Sequence, residues 1–329
     1  MKYRKFSDLG WNVSEIGQGC MGLGWSWGDL VPGRDCRELL IKAVDNGVNF
    51  FDTSDAYGDG RSEQLLGELI KSTSEKLFVT TKVGRRNRST NYARGYKEKH
   101  IEEFVDRSLL KLGVDCIDLL QLHCPPSEVC SKKETYEMVD EIVQKGKISH
   151  YGVSVWKISD AMEAIQFPNV KSIQLVFNIF RQKPAEAFLK EAKKRNVAII
   201  ARGPLASGLL AGNIDQNTKF LENDHRHYNI NGKAFDVGDT FSGVNFEKGL
   251  KAVEKLKDLL PENFSLVDLA LKWILMHDEI SVVIPGALNK SQVQMNMHAS
   301  DVEDIPASLL PKINSIYDEL IKPDVHNRW

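Results

Sequence analysis

Ile117-Asp118-Leu119-Leu120-Gln121-Leu122-His123 is a strand-length run, largely apolar on both faces, that ends on an imidazole. Strands apolar on both faces belong to sheets covered on both sides, which is how parallel sheets are built. Comparable runs recur at Val13–Gly17, Val48–Asp52, Leu77–Lys82, Ile148–Ser154, Ser172–Val176, Val197–Arg202 and Ser281–Pro285, making eight with the first. Helical patterns separate most of them: Glu38–Asn46, Glu63–Lys71, Lys99–Leu112, Lys132–Lys145, Ile158–Gln166 and Pro184–Arg195. Phe246–Leu260 and Leu266–His277 follow the last long loop. Gly47, Gly113, Gly146 and Asn196 stand where left-handed helix caps are expected. Strictly alternating strands and helices predict a parallel sheet with right-handed crossovers. Eight such units predict a closed (β/α)8 TIM barrel, whose functional residues come from the C-terminal strand ends.

Two segments lie outside a bare barrel. Tyr3–Phe6 and Val13–Ile16 flank Asp8-Leu9-Gly10 and read as an N-terminal β-hairpin capping the barrel bottom. Residues 211–245 form a long polar connection at the C-terminal face, read as a lid over the site or as a solvated insertion. No repeat or linker interrupts the chain, so residues 1–329 are expected to form one domain.

The chain has 329 residues, 42% hydrophobic, with a net charge of -2, which argues against nucleic acid and anionic membranes as partners. No apolar run approaches the roughly 18 residues of a membrane span, and no apolar stretch follows the basic start Met1–Lys5. The five cysteines (Cys20, Cys36, Cys116, Cys124, Cys130) show no metal or redox spacing and read as reduced thiols. A cytoplasmic location follows as an expectation. His225 and His227 lack a third marked ligand, so no metal site is read there. Gly17-Gln18-Gly19-Cys20-Met21-Gly22 matches G-x-G-x-x-G, but a dinucleotide fingerprint needs a helix at once, and Leu23–Asp29 reads as a loop. The glycines are expected to bring the first strand end close to a ligand.

Four residues stand where consecutive strands run out: Asp52, Tyr57, Lys82 and His123. An acid, a phenol, an amine and an imidazole together can deliver a proton to a carbonyl oxygen. A free phenol has a pKa of about 10. A nearby ammonium favours the phenolate, so Lys82 is expected to lower the pKa of Tyr57.

Phe51-Asp52-Thr53-Ser54-Asp55-Ala56-Tyr57-Gly58, Ser62-Glu63, Gly67 and Thr81-Lys82-Val83-Gly84 occur in order with Leu119–His123, Gly152-Val153-Ser154, Gly208-Leu209-Leu210 and Ile284-Pro285-Gly286. With these stretches the chain resembles the aldo-keto reductase family essentially end to end. The resemblance implies a barrel that reduces aldehydes and ketones with NAD(P)H and without metal or flavin. It implies Tyr57 as general acid, assisted by Lys82, Asp52 and His123. It places the cofactor on Gly19, Cys20, Met21, Ser154, Gln174, Arg202, Gly203, Pro204, Leu205, Gly208, Pro285, Gly286, Lys290, Gln292 and Asn296. Ser154 and Gln174 are implied to hold the nicotinamide carboxamide. Val155 stands where the family often has Asn. Arg202 takes the place of a stacking aromatic, which a guanidinium plane can replace. Past the eighth strand only Lys290 is cationic, which weakens the grip on a 2′-phosphate. NADP(H) stays slightly favoured on family grounds, with NAD(H) as the other choice.

Trp25, Trp27, Trp156 and Trp329 are expected around the barrel mouth as walls for a small carbonyl substrate. Two other readings compete. Potassium-channel β subunits share the family's fold and act as cofactor-binding regulatory partners, which the absence of residues before Tyr3 beyond Met1 and Lys2 disfavours. A lyase using Lys82 as a Schiff base is disfavoured because a lysine paired with Asp52 stays protonated.

Overall fold

The alternation in the sequence becomes strands joined by helices that pack on their outer faces. The computed structural model describes residues 1–24, 32–85, 96 and 98–329. An antiparallel hairpin comes first, β1 (Tyr3–Phe6) with β2 (Trp11–Ser14). The parallel sheet follows as β3 (Gln18–Gly19), β4 (Phe50–Asp52), β5 (Phe78–Val83), β6 (Ile117–His123), β7 (Ile148–Ser154), β8 (Val170–Val176), β9 (Ala198–Arg202) and β10 (Ile280–Ile284). Each strand pairs with its successor, so spatial order is sequence order. Parallel bridges Ile16–Val283 and Gly19–Gly286 join the first strand to the last. Gly17 N donates to Val283 O at 2.8 Å and Gly19 N to Pro285 O at 2.9 Å, closing the barrel.

The expected first strand, Val13–Gly17, is divided between two sheets. Trp11–Ser14 stays in the hairpin, and barrel pairing starts at Ile16. Gly17 and Gly19 also meet a steric requirement inside the sheet itself. A Cβ at Gly17 would lie 2.8 Å from Phe50 O, and one at Gly19 would lie 2.9 Å from Ile284 O. The first strand is wedged between β4 and β10, and only glycine fits that spacing. A short helical turn, Met21–Gly24, takes in Leu23 and Gly24, the first two residues of the expected loop, and the rest of that loop, residues 25–29, lies outside the described residues. The expected helix Pro184–Arg195 splits into a 3₁₀ turn, Lys183–Ala185, and a helix, Phe188–Lys194. The four predicted caps are left-handed, with φ of 84° at Gly47, 65° at Gly113, 72° at Gly146 and 54° at Asn196.

Successive strand residues face opposite sides, so parity decides what fills the barrel. Phe50, Phe78, Leu119, Ala198, Ile200 and Val282 form an apolar layer with Phe6 and Val13 of the hairpin. The Phe6 ring stacks 5.4 Å from Phe50, and Trp11 stacks 4.7 Å from Phe78, so the hairpin plugs this end. Two residues further on, Thr80 accepts a 3.0 Å hydrogen bond from Gln121. The same parity carries Asp52, Lys82, His123 and Arg202 to the opposite end. The large outer core, which includes Leu39, Leu66, Val105, Val139, Phe188 and Leu269, lies between strands and helices. No helix among the described residues is long and apolar enough to cross a membrane.

The 211–245 connection is folded. It holds a helical turn, His225–Tyr228, and two 3₁₀ turns, Val237–Asp239 and Phe241–Gly243. Its final part reaches the barrel mouth.

Candidate active site

Lys82 is the centre of the mouth. Its side chain is 1% exposed, and burial of an unpaired ammonium is costly. Three partners answer its three N–H groups. Nζ donates to Asp52 Oδ2 at 2.6 Å, to Thr53 O at 2.8 Å and to Tyr57 Oη at 3.3 Å. Asp52 is fixed through its other oxygen, since Gln174 Nε2 donates to Oδ1 at 2.7 Å. Ser154 Oγ donates to Gln174 Oε1 at 3.3 Å. A chain of contacts therefore runs from β7 and β8 through Asp52 and Lys82 to the phenol.

His123 meets the Tyr57 ring edge-on at 6.0 Å between centroids. Its Nδ1 is 3.0 Å from Ser54 Oγ, and its carbonyl accepts from the buried Tyr96 hydroxyl at 2.6 Å. Tyr57 itself sits in a tight turn. A Cβ at Gly24 would come within 2.3 Å of the Tyr57 carbonyl, so only glycine permits this approach.

Electrostatics divide these groups. Burial, then the charges of Arg85, Lys82 and Arg202, push His123 well below the usual imidazole range, so its ring is neutral at pH 7. Burial opposes the charge on Lys82, but Asp52 and Tyr57 outweigh it and hold its pKa above the ordinary lysine value. Tyr57 departs from expectation. Lys82 does pull its pKa down, but burial is the larger influence and Asp52 adds to it, so the phenol ends above its usual value.

At the expected cofactor positions, Gly203 (φ 61°) and Gly208 (φ 98°) bracket a turn in which Ala206 (φ 46°) and Ser207 (φ 55°) are also left-handed. Non-glycine residues pay roughly 1–2 kcal/mol each for this conformation. Ser207 Oγ helps hold it, donating to Asp239 O at 3.3 Å and accepting from Phe241 N at 3.0 Å. Arg202 donates from Nη1 to Asp239 Oδ1 at 2.5 Å and from Nη2 to Val155 O at 3.3 Å. Its Nε is buried without a partner among the described residues, as a site built for an added acceptor requires. Cys20 N donates to Asp52 O at 2.8 Å, and Met21 opens the turn that follows. Gly286, next to Pro285, bridges to Gly19. Asn296 Nδ2 donates to Gly286 O at 3.1 Å, and Gln292 Oε1 accepts from Leu288 N at 2.8 Å. Lys290 pairs with Glu38 at 2.8 Å.

Of the expected pocket aromatics, Trp25 and Trp27 lie outside the described residues. Trp156 and Trp329 line one small cavity with Arg181 and Tyr317. Trp156 Nε1 donates to Asp239 Oδ2 at 3.0 Å, and Trp329 Nε1 donates to Asp236 Oδ1 at 2.9 Å. None of the five cysteines is in a disulfide. Cys124 is buried, 3.6 Å from Ser154 Oγ, and burial raises its pKa, contrary to what a thiolate nucleophile needs.

Comparison with known proteins places this geometry. The profile of the Aldo/keto reductase family matches residues 15–318. The chain belongs to that family. Its relatives include the oxidoreductase YqkF of Bacillus subtilis, 28% identical over 320 residues and 96% of each chain. A probable voltage-gated potassium channel subunit beta of Arabidopsis thaliana is 28% identical over 316 residues and 92% of each chain. Among solved structures, the holo form of aldo-keto reductase AKR11C1 from Bacillus halodurans matches with a TM-score of 0.75, 28% identity and 96% of both chains.

As an aldo-keto reductase the chain is an oxidoreductase, and its mouth contains groups that the sequence reading did not assign. Ser54 was visible only as part of a motif. Arg85 stands just past the end of β5, three residues after Lys82, where strand-end parity no longer applies. Asp239 comes from the 211–245 connection, in which no periodicity singles it out.

Proposed function

We propose that this aldo-keto reductase reduces an aldehyde or ketone to the alcohol, with Tyr57 as proton donor and Lys82, Asp52 and His123 assisting. The observation that carries this reading is the Lys82 ammonium held between Asp52 at 2.6 Å and the Tyr57 hydroxyl at 3.3 Å. A bound reduced nicotinamide supplies a hydride to the carbonyl carbon. Charge then develops on the carbonyl oxygen, and Tyr57, still protonated at neutral pH, is placed to neutralise it. Lys82 stabilises the phenolate that remains, and Asp52 keeps Lys82 charged. In the neutral tautomer with its hydrogen on Nε2, where Nδ1 accepts from Ser54 Oγ at 3.0 Å, His123 can orient the substrate oxygen.

Arg202, Ser154 and the strained turn 203–208 are the residues proposed to hold the cofactor. NADP(H) stays slightly ahead of NAD(H) in this reading. The substrate is read as a small carbonyl compound, handled in the cytoplasm by one domain spanning residues 1–329. The likeness to a potassium-channel β subunit supports a second reading, a cofactor-binding subunit with little turnover.

Tyr57→Phe separates the two. The expected outcome is a fall of roughly a hundredfold or more in carbonyl reduction, with NADPH and NADH binding kept in a fluorescence titration. Unchanged turnover would remove Tyr57 as the acid. Tight cofactor binding by the wild type with no reduction of any tested carbonyl would favour the regulatory reading.

A further inference from the structure

The small cavity lined by Trp156 and Trp329 lies between the end of β8 and the C-terminal segment, and cations line it without anions. Arg181, Lys183, His326 and Tyr317 supply its polar wall. No Asp or Glu lines it among the described residues. Its volume is about 10 Å³, room for one water-sized group.

Arg181 is held in place by the chain itself. It closes a turn after β8, where its N donates to Asn178 O at 2.9 Å. Asn178 Nδ2 ties that turn to Gly203 O at 2.8 Å and to Ser242 Oγ at 2.9 Å. The guanidinium stacks 3.8 Å from the Trp329 ring centre, and Nη1 donates to Ser242 O at 3.4 Å. It forms no ion pair with a carboxylate among the described residues, although Arg181 is only 7% exposed. Burying a guanidinium without a paired carboxylate is costly. Burial, then the charge of Arg202, works against its charge, and Asp236 and Asp239 offset them only in part. Asp236 is already committed, since its Oδ1 accepts from Gly238 N at 2.7 Å and from Trp329 Nε1 at 2.9 Å.

The second cation of the wall is in the same position. Lys183 is half-buried, and its Nζ has neither an ion pair nor a hydrogen bond among the described residues. His326 cannot stand in for an anion. Its Nδ1 lies 2.8 Å from Tyr317 Oη and its Nε2 lies 2.9 Å from Glu186 Oε1. Two cations therefore share one aromatic-walled space that holds no acidic group of the described chain.

We propose that this cavity is a binding site for one small monovalent anion of halide size, held by Arg181 and Lys183. A halide supplies the missing counter-charge, and a single atom suits the volume, which a phosphate exceeds. Arg181 bonds to Ser242 O and Trp329 to Asp236, so the bound anion steadies the stretch that presents Asp239 to Arg202.

The test uses the full chain, freed of halide by exchange into gluconate buffer, with ionic strength held constant. The chlorine-35 resonance of added chloride should broaden in the presence of the protein. Bromide should reverse the broadening at lower concentration than phosphate does. Crystals grown in bromide should show an anomalous peak in contact with Arg181 and Lys183. Lys183→Ala should weaken halide binding several-fold, and Arg181→Met should abolish it. Lys183 is half-exposed, so its variant keeps the test valid if Arg181→Met does not fold. No broadening in the wild type, or undiminished broadening in either folded variant, overturns the inference, as does water in place of bromide at the site. Phosphate displacing chloride more readily than bromide does would assign the cavity to a larger oxyanion and overturn the halide reading. A bromide peak without broadening in solution would be binding at crystal concentration only, which also counts against it. Chloride should slow amide exchange in residues 236–244 of the wild type, and exchange left unchanged would overturn the coupling to that stretch.

Discussion

Lys82 shows how one buried charge is made to serve chemistry. Its three donors are all committed, to Asp52, Thr53 O and Tyr57. A protonated, fully bonded ammonium is a poor nucleophile, which disfavours Schiff-base chemistry at this residue. The same arrangement sets a pH dependence. The pKa of Tyr57 lies above its ordinary value, so the proton donor stays loaded across the neutral range. That of His123 lies well below its ordinary value, so the imidazole does not change charge there. Reduction of a non-ionising aldehyde should therefore show kcat/KM flat from about pH 6 to about pH 9, falling only as a phenol of pKa above about 10 ionises. An inflection near pH 6.5 in the wild type that vanishes in His123→Asn would show that a charged imidazole takes part.

Two helices meet at Lys290, one of the positions that the family resemblance implies for the cofactor. Glu38, on the helix Gly33–Asp45, pairs with Lys290, at the start of the helix Lys290–His298. Arg34 reaches the same carboxylate at 3.3 Å. Exposed pairs of this kind contribute little to stability, but this one occupies the cation expected to meet a 2′-phosphate. Glu38→Gln should release Lys290 and raise affinity for NADPH relative to NADH several-fold in paired titrations, in proportion to one freed charge near the phosphate. An unchanged NADPH/NADH ratio would mean that Lys290 does not reach the phosphate.

Legibility at this scale follows from periodicity. The strand ends Lys82, His123 and Arg202 were readable because each interrupts an apolar run at the parity of the barrel interior. β6 and β7 were expected with the bounds they have, because each is long and bounded by turn residues. The first barrel strand was misjudged for the opposite reason. Extended chain runs from hairpin to barrel through Ser14 and Glu15, and nothing in the residues marks the change of partner. Gln174 was expected to reach the nicotinamide, and its amide nitrogen holds Asp52, a contact between distant strands that only the closed barrel creates.

Across the whole molecule, the last residue braces the mouth built by the middle of the chain. The Trp329 indole donates to Asp236 at 2.9 Å, and the Arg181 guanidinium stacks 3.8 Å from its ring centre. A Cβ at Gly243 would lie 2.3 Å from the Trp329 ring, and one at Gly238 would lie 2.9 Å from it. Trp329 therefore grips both ends of the stretch that carries Asp239, the partner of Arg202 and Trp156. Truncating a buried Trp costs about 3–5 kcal/mol. The indole packs here against a loop that lies on the barrel without pairing with its sheet, so the cost should appear as local opening. In Trp329→Ala, backbone amides of residues 236–244 should exchange at least about tenfold faster, equivalent to about 1.4 kcal/mol, while those of β5, β6 and β7 keep their protection. Cofactor should also dissociate faster, because Arg202 loses its fixed counter-charge. Uniform loss of protection across the barrel would make Trp329 part of the global core. Unchanged exchange in 236–244 would show that the loop holds its place without the chain end.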